Sequence, residues 1–265
     1  MSNPADPGFV PPAPEPPADF AQGTEGSEEL RARLRDAGPE ELPALLAEHA
    51  GHLGAPEARQ ALRNPYLTAE EVELLARQPR LVSFYEVRRD IALHPKTPEV
   101  LALRFVAGLF WRDLVAAGGD SRLRPTVRRA ADLQLAARLP ELAVGEKVTI
   151  ARRAGAGLLA HLRQDPSPRV IAALLDNPRL TEGVLAPLVH SERTSPPVLA
   201  LIAADRRWGA RLELRSLLCK NRRTPVETVL RILPTLRKDD LRAIGSDSRL
   251  AEAVRRRARL LLGEI

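Results

Sequence analysis

The sequence predicts an all-α fold of short stacked helices, an α-solenoid, and three observations lead to this prediction. The stretch Asp120–Leu135 recurs 127 positions later as Asp247–Leu262, and the ungapped alignment of residues 79–137 with 206–264 holds 22 identities in 59 pairs. Short apolar segments, with Leu, Val and Ala three or four residues apart, alternate with turn signals. Aromatic residues make up only 3% of the chain, so small aliphatic side chains must fill the core.

Domain organisation follows from composition. Residues 1–26 contain seven prolines by position 17, several acids and no Lys or Arg, so we expect a disordered Pro-rich acidic tail. A single α-solenoid is expected over 27–265. Its first copy covers about 58–137, connecting repeats cover 138–170, and its second copy covers about 171–264.

The first helices are marked by capping residues. Ser27 is a plausible N-cap of a helix that stops at Gly38, and a second helix is expected within 39–54. Thr68 and Glu71 then have the spacing of a capping box, which predicts that a helix begins at this point.

Turns between later helices carry proline or asparagine. They are Asn64-Pro65, His94-Pro95, Asn177-Pro178 and Lys220-Asn221. Thr97-Pro98 and Thr224-Pro225 each predict a helix with proline in its first position. From this spacing we expect about 12–15 short helices, each of which must bury its apolar face on its neighbours.

The motifs resemble two families of repeat protein. The stretch Asp165–Val170 with its following helix is similar to the start of a HEAT repeat, and the segments 94–101, 177–181 and 221–226 resemble the leucine-rich repeat variant pattern. This resemblance implies a right-handed solenoid that binds a partner along one face. The cysteine cluster that holds an iron–sulfur centre in some leucine-rich repeat variant proteins is missing, so no cofactor is implied.

The number of cysteines and the hydropathy of the chain indicate the cellular compartment in which we expect the protein. Cys219 is the single cysteine, which excludes an internal disulfide and fits a reducing compartment. We expect it to be a small buried residue. No apolar run approaches the ~18 residues of a membrane helix, and no signal peptide precedes the helices. The expectation is a cytoplasmic protein without membrane insertion.

Charge is distributed unevenly. The formal net charge is +6, while the first 30 residues hold six acids and no Lys or Arg, so the body is more basic than the total. Such a body suits an anionic partner, but it also fits solvated helix faces and internal ion pairs. Asp120 and Arg122 recur as Asp247 and Arg249; we expect the two aspartates to cap helices and the arginines to pair with acids.

These observations favour a non-enzymatic scaffold or adaptor that binds a macromolecule, most simply a protein. The alternative is a duplex DNA or RNA binder that uses the basic body. Neither the partner nor the oligomeric state follows from the sequence. The candidate partner-binding residues are Arg128, Arg129, Arg255, Arg256, Arg257, Trp111 and Trp208.

Two further chemical readings are weaker. Trp111, Asp113 and Trp208 are similar in kind to residues of DNA glycosylases with a HEAT-like fold, but Asp113 recurs as Asp240, which favours a structural role. His49 and His52 are three residues apart on one helix, but the sequence marks no further ligand for a metal site. No catalytic residue, metal or cofactor is therefore predicted.

Overall fold

The computed structural model describes residues 24–264, and every regular element in this range is helical. Most of the predicted tail over 1–26, up to residue 23, lies outside the described residues. The chain divides into two compact units, one that ends at Ile91 and one that begins at Ala92. Within the described range, no helix is both long and apolar enough to cross a membrane.

The helices are numbered in chain order. The first unit holds α1 (Thr24–Asp36), α2 (Glu41–His49), α3 (Ala55–Ala61), α4 (Ala69–Ala76), α5 (Pro79–Ser83) and α6 (Tyr85–Ala92), whose last residue belongs to the second unit. The second unit continues with α7 (Glu99–Val106), α8 (Trp111–Gly119), α9 (Pro125–Arg138), α10 (Val144–Arg153), α11 (Ala156–Leu162), α12 (Pro168–Leu175), α13 (Glu182–His190), α14 (Pro196–Ala204), α15 (Leu212–Lys220), α16 (Val226–Ile232), α17 (Lys238–Ser246) and α18 (Glu252–Leu262). Short 3₁₀ turns follow α9 and α16 at Leu139–Glu141 and Leu233–Thr235.

The all-α class is thus confirmed for residues 24–264, but the expected number of helices was too low. Eighteen α-helices occupy this range, against the 12–15 predicted. The excess arises where helices are separated by very little chain. Only Ala154 and Gly155 lie between α10 and α11, and α5 is a single turn of five residues.

In the first unit, α1 packs against α3. Glu57 on α3 is buried and accepts a hydrogen bond from the Ser27 hydroxyl, while Arg31 Nε lies 3.4 Å from its carboxylate. The predicted role of Ser27 as N-cap is therefore wrong, since α1 already begins at Thr24. The capping box at α4 is confirmed, because the Thr68 backbone N–H donates to Glu71 Oε2 at 2.6 Å.

In the second unit, helices pack on their second neighbours as well as on adjacent ones. Helix α9 contacts α7 and α11, α10 contacts α8 and α12, and α15 contacts α13 and α17. The apolar stripes between them consist almost entirely of Leu, Ile, Val and Ala. This arrangement explains how helices of 7–14 residues are stable, because they bury their apolar faces against helices before and after them in the chain.

The helices repeat with the same shift as the sequence. Helices α6, α7, α8 and α9 begin 127 positions before α15, α16, α17 and α18, respectively. A close approach repeats as well. A Cβ on Gly118 of α8 would meet the side chain of Asp132 on α9, and a Cβ on Gly245 of α17 would meet that of Arg259 on α18. The glycines let both helix pairs approach closely.

The recurring aspartates stabilise turns rather than helix starts. Asp120 Oδ1 accepts the Arg122 backbone N–H at 2.9 Å, and Asp247 Oδ1 accepts that of Arg249 at 3.0 Å. Each arginine then pairs with the same carboxylate, at 2.7 and 2.8 Å. The expectation that these aspartates cap the following helix was wrong, because α9 and α18 begin five residues later.

Three buried asparagines fasten the turns to earlier helices. Asn64 donates its side-chain amide to the carbonyls of Leu34 and Ala37, Asn177 to those of Ala151 and Ala154, and Asn221 to those of Val189 and Ser191. Each Oδ1 accepts the backbone N–H two residues on. The free carbonyls at a helix C-terminus thereby gain donors that the helix itself cannot supply. We call these three contacts asparagine clasps.

Cys219 is fully buried, as the sequence predicted. Burial and, to a smaller extent, the nearby Asp240 carboxylate raise the pKa of its thiol to about 12, while the charge of Lys220 opposes the shift. Asp240 itself accepts hydrogen bonds from Lys220 Nζ at 2.7 Å and Ser216 Oγ at 2.6 Å, which lower the pKa of that carboxyl. The thiol is therefore a packing element and not a nucleophile.

Candidate functional site

The predicted arginines of α9 and α18 differ in burial and in their partners. Arg129 is exposed, whereas Arg128 is half-buried and its Nε is buried without a hydrogen-bond partner among the described residues. On α18, Arg255 pairs with Glu252, while Arg256 and Arg257 are exposed. Glu252 of the same helix thus partly neutralises the densest basic run of the sequence.

Trp208 is not a partner-binding residue in this structure. Its side chain is only 2% exposed, and its indole N–H donates to the Leu175 carbonyl at 3.0 Å. Arg207 covers the ring, with its guanidinium carbon 4.3 Å from the ring centroid. The prediction failed because a tryptophan next to two arginines has the same sequence pattern whether it fills a core or faces a ligand.

Trp111 and four arginines line one continuous groove on the second unit. Two adjoining depressions, of about 420 and 450 Å³, share Arg112, Val115 and Arg153. The first also contains Trp111, and the second contains Arg152 and Arg179 together with residues at the ends of α8 and α10. We refer to the surface formed by Trp111, Arg112, Arg152, Arg153 and Arg179 as the arginine groove.

Local structure explains why these side chains meet. Arg152 and Arg153 are in the last turn of α10, where the helix dipole favours cations. The asparagine clasp of Asn177 holds the next turn against the end of α10, and its Oδ1 fixes the Arg179 backbone N–H at 2.8 Å. Arg179 Nη2 then donates to the Gly119 carbonyl at 3.0 Å, which places this guanidinium beside the end of α8.

The other wall comes from the start of α8. Trp111 is the first residue of the helix and is half-buried, and the Arg112 guanidinium carbon lies 5.2 Å from its ring centroid. This distance is within the range of a cation–π contact. The Arg112 guanidinium therefore lies over the indole ring of Trp111 at one end of the groove.

The arginine groove is electropositive because its cations are not neutralised. All four arginines are exposed, and in the described part of the chain no carboxylate oxygen lies within 4.0 Å of a guanidinium nitrogen of Arg112, Arg152, Arg153 or Arg179. The lining acids are already engaged. Asp120 pairs with Arg122 at 2.7 Å, and Glu146 Oε2 accepts the Ala143 backbone N–H at 2.9 Å.

A larger depression of about 510 Å³ lies between the turn before α12 and the turn before α14, and two of its three charged side chains are engaged. Arg163 donates to the Val184 carbonyl at 3.3 Å, and Asp165 forms an ion pair with Lys147 at 3.2 Å. Arg193 is the one exposed guanidinium in this lining without an acid within 4.0 Å among the described residues, so the depression lacks the cluster of cations found in the arginine groove.

Metal ligands are not assembled in the described residues, where no group of three His, Cys, Asp or Glu side chains comes close enough to hold an ion. The nearest acid to His49 is Glu48, 3.8 Å from its Nε2. The glycosylase reading loses one of its three residues, since Trp208 is buried while Trp111 lies in the arginine groove.

Comparisons of the chain with known protein families, with curated proteins and with solved structures find no match in any of the three. The resemblance to HEAT and leucine-rich repeat variant proteins therefore stays a prediction. The site has to be interpreted from its own geometry.

Sequence reasoning identified only Trp111 of the arginine groove. Arg112, Arg152, Arg153 and Arg179 come from three separate segments, and nothing in their spacing says that they meet. One signal was present. Arg179 directly follows the Asn177-Pro178 turn, and the tertiary contact of that turn with α10 brings it to Arg153.

Proposed function

We propose that this chain is a non-enzymatic α-solenoid protein, a scaffold or adaptor, which binds an anionic macromolecule through the arginine groove. The proposal joins a repeat architecture with one electropositive surface. It assigns no catalytic residue and no cofactor. The partner is held by charge and by the indole of Trp111.

Packing in the second unit supports the architectural part of this proposal. Each of α9, α10 and α15 contacts the helices two positions before and after it, as in a stack of helix pairs. The asparagine clasps add the same turn-to-helix contact at more than one place along the chain. Proteins built in this way bind partners along an extended surface that successive repeats share.

The observation that carries the functional part is the set of four exposed arginines without a carboxylate partner. Some exposed arginines of the same unit pair with acids, as Arg222 does with Glu192 at 2.9 Å and Arg242 with Asp239 at 2.7 Å. Others, such as Arg129 and Arg256, have no acid within 4.0 Å among the described residues, but they do not line the groove, where four such arginines come together. Like charges placed together repel one another. A cluster of them is therefore better explained by a ligand than by folding stability.

Comparison of the two sequence copies also supports a binding role for the groove. The pairs that stabilise turns, Asp120 with Arg122 and Asp247 with Arg249, are present in both. Trp111 and Arg112 are replaced by Lys238 and Asp239 at the equivalent positions. The groove residues of α8 are therefore not needed to build the repeat, which supports a role in binding.

A polyanion titration with a charge-matched control tests the proposal. The groove variant carries Arg112→Gln, Arg152→Gln and Arg153→Gln. The control variant carries Arg129→Gln, Arg256→Gln and Arg257→Gln, three exposed arginines outside the groove that the sequence had suggested as partner-binding residues.

Calorimetry with a heparin oligosaccharide should show at least a tenfold loss of affinity for the groove variant and less than a threefold loss for the control. Circular dichroism and urea unfolding would verify that both variants remain folded. Equal losses in the two variants would show that net charge alone governs binding and would refute the assignment of the groove.

A further inference from the structure

We infer that the anionic partner of the arginine groove is a single-stranded nucleic acid, with its phosphates on the arginines and a base on Trp111. This inference rests on the proposed function, because it names the partner of the same groove. It depends on three observations: the type of cation, the continuation of positive charge over successive turns, and the position of the indole.

The cations of the groove are all arginines. A guanidinium presents several N–H donors in one plane and binds two oxygens of a phosphate at once, whereas a lysine acts as a point charge. Arg152, Arg153 and Arg179 line the second depression, which is open to solvent and has a volume of about 450 Å³. A phosphate with its sugar fits such a space.

Positive charge continues beyond the groove along one row of turns. The turn that contains Arg179 touches the end of α8 through the Gly119 carbonyl. An arginine also joins the next turn of the row to the turn that contains Arg179. Arg207 donates to the carbonyls of Asn177 at 3.4 Å and Leu180 at 3.2 Å. These contacts place Arg179 and Arg207 on consecutive turns of one edge.

Further exposed arginines extend this row at both ends. Arg206 lies beside Arg207, and in the described residues no acid lies within 4.0 Å of it. At the other end, Arg122 and Arg124 are exposed in the turn after α8, although they also contact Asp120 and Glu99. With about 8–10 Å between packed helices, the row matches a polymer that carries charge at regular intervals.

Trp111 distinguishes a nucleic acid from an acidic protein segment. The indole lies in the groove with the Arg112 guanidinium over its ring, and an aromatic ring with an adjacent arginine is a combination that holds a base and its phosphate in sites for single strands. An acidic peptide would satisfy the arginines but offers no ring for the indole. Stacking also requires an unpaired base, which favours a single strand over a duplex.

Fluorescence anisotropy with the full-length chain tests the inference. The probes are a labelled 30-nucleotide single strand of random sequence, the corresponding duplex, and labelled poly-L-glutamate of similar charge. We expect the single strand to bind most tightly. The groove variant should weaken this binding at least tenfold and reduce the slope of log K against log salt by about 2, because three phosphate contacts are lost.

The charge-matched control variant should change affinity for the single strand less than threefold. Trp111→Leu should weaken binding of the single strand about fivefold or more, because it removes the stacking surface and leaves the arginines in place. Circular dichroism and the urea midpoint would show that this variant is folded. An unchanged affinity in a folded Trp111→Leu protein would overturn the inference.

Other outcomes separate the two proposals. If poly-L-glutamate or the duplex binds as tightly as the single strand and the groove variant abolishes that binding, the inference is wrong and the proposed function is retained. If no probe binds in a groove-dependent way, both are wrong. Binding of the single strand alone, lost in both the groove variant and Trp111→Leu, supports the inference.

Discussion

The Asp132 carboxylate on α9 packs directly against Gly157 in the first turn of α11, where an added Cβ would overlap Asp132 Oδ2. Gly118 on α8 faces the same carboxylate and likewise leaves no room for a Cβ. Burial raises the pKa of Asp132, and the neighbouring backbone of Gly157 and the charges of Arg128 and His161 oppose this shift only in part. The contact shows that the unit depends on small residues at fixed positions.

Gly118→Ala should destabilise the second unit. The added methyl would contact the Asp132 side chain and force α8 away from α9, at a cost of about 1–3 kcal/mol. Urea unfolding followed by circular dichroism measures this change. Gly183→Ala is the matched control, because its nearest atom is Thr181 Oγ1 at 4.0 Å; it should be neutral or slightly stabilising. Equal effects of the two changes would contradict the close approach.

Asp132→Asn should raise the urea midpoint at neutral pH. The amide keeps the size of the carboxylate between Gly118 and Gly157, and the buried charge is removed. In the wild type, the folded-state pKa lies above the ordinary value of 3.8, so the free energy of unfolding falls as the pH rises from 3.8 through the folded-state pKa. The advantage of the variant should therefore shrink as the pH is lowered toward 4. A difference that does not vary with pH would contradict this.

Asn177→Ala should lower the free energy of unfolding by about 2–4 kcal/mol, because it leaves the carbonyls of Ala151 and Ala154 without their side-chain donor in a buried position. Urea unfolding again provides the measurement. Asp176→Ala changes the exposed neighbouring residue and should shift stability by less than about 0.5 kcal/mol. A mild effect of Asn177→Ala would mean that the clasp is not needed for stability.

Cys219 should be unreactive in the folded protein. With the pKa of its thiol raised to about 12 and its side chain fully buried, almost no thiolate is available at pH 8. Modification by a disulfide reagent should be slow without urea and should accelerate along the unfolding transition. Because this is the single cysteine, the labelling rate reports the opening of α15. Rapid labelling in native buffer would contradict its burial.

Arg249→Gln should raise the pKa of Asp247, which the side-chain and backbone hydrogen bonds from Arg249 lower from 3.8 to about 2. The backbone bond persists in the variant, so the recovery should be incomplete. A carboxyl-detected NMR titration gives the value. In the wild type, the stabilising contribution of this pair is present above pH 3.8 and is lost as the pH falls through about 2. Arg256→Gln should leave the pKa of Asp247 almost unchanged.

The helical class was predictable because it depends on local signals. The spacing of aliphatic residues, the capping box of Thr68 and Glu71, and the Asn64 and Asn177 turns are all visible in the sequence. Helix boundaries were less predictable. Ser27 has the composition of a cap but bonds to Glu57, thirty residues away, and no local pattern reports such a partner.

Most residues of the candidate site could not be predicted from the sequence, because tertiary contacts bring them together. Trp111 and Trp208 are both followed or preceded by arginine, yet one lines a groove and the other fills the core. Arg128 and Arg255 occupy equivalent sequence positions in runs of arginine, but each has a buried Nε atom. Density of charge along the sequence did not predict that arginines from three segments come together in the groove.

All three asparagine clasps reach toward the N-terminus, to carbonyls 23–32 residues earlier in the chain. During synthesis, at about 5–20 residues per second, the acceptors of every clasp have therefore already left the ribosome when its asparagine emerges. Each clasp can therefore form soon after its asparagine leaves the ribosome and does not require the segments that follow. The nascent chain is thus able to fasten these three turns in the order in which they are translated.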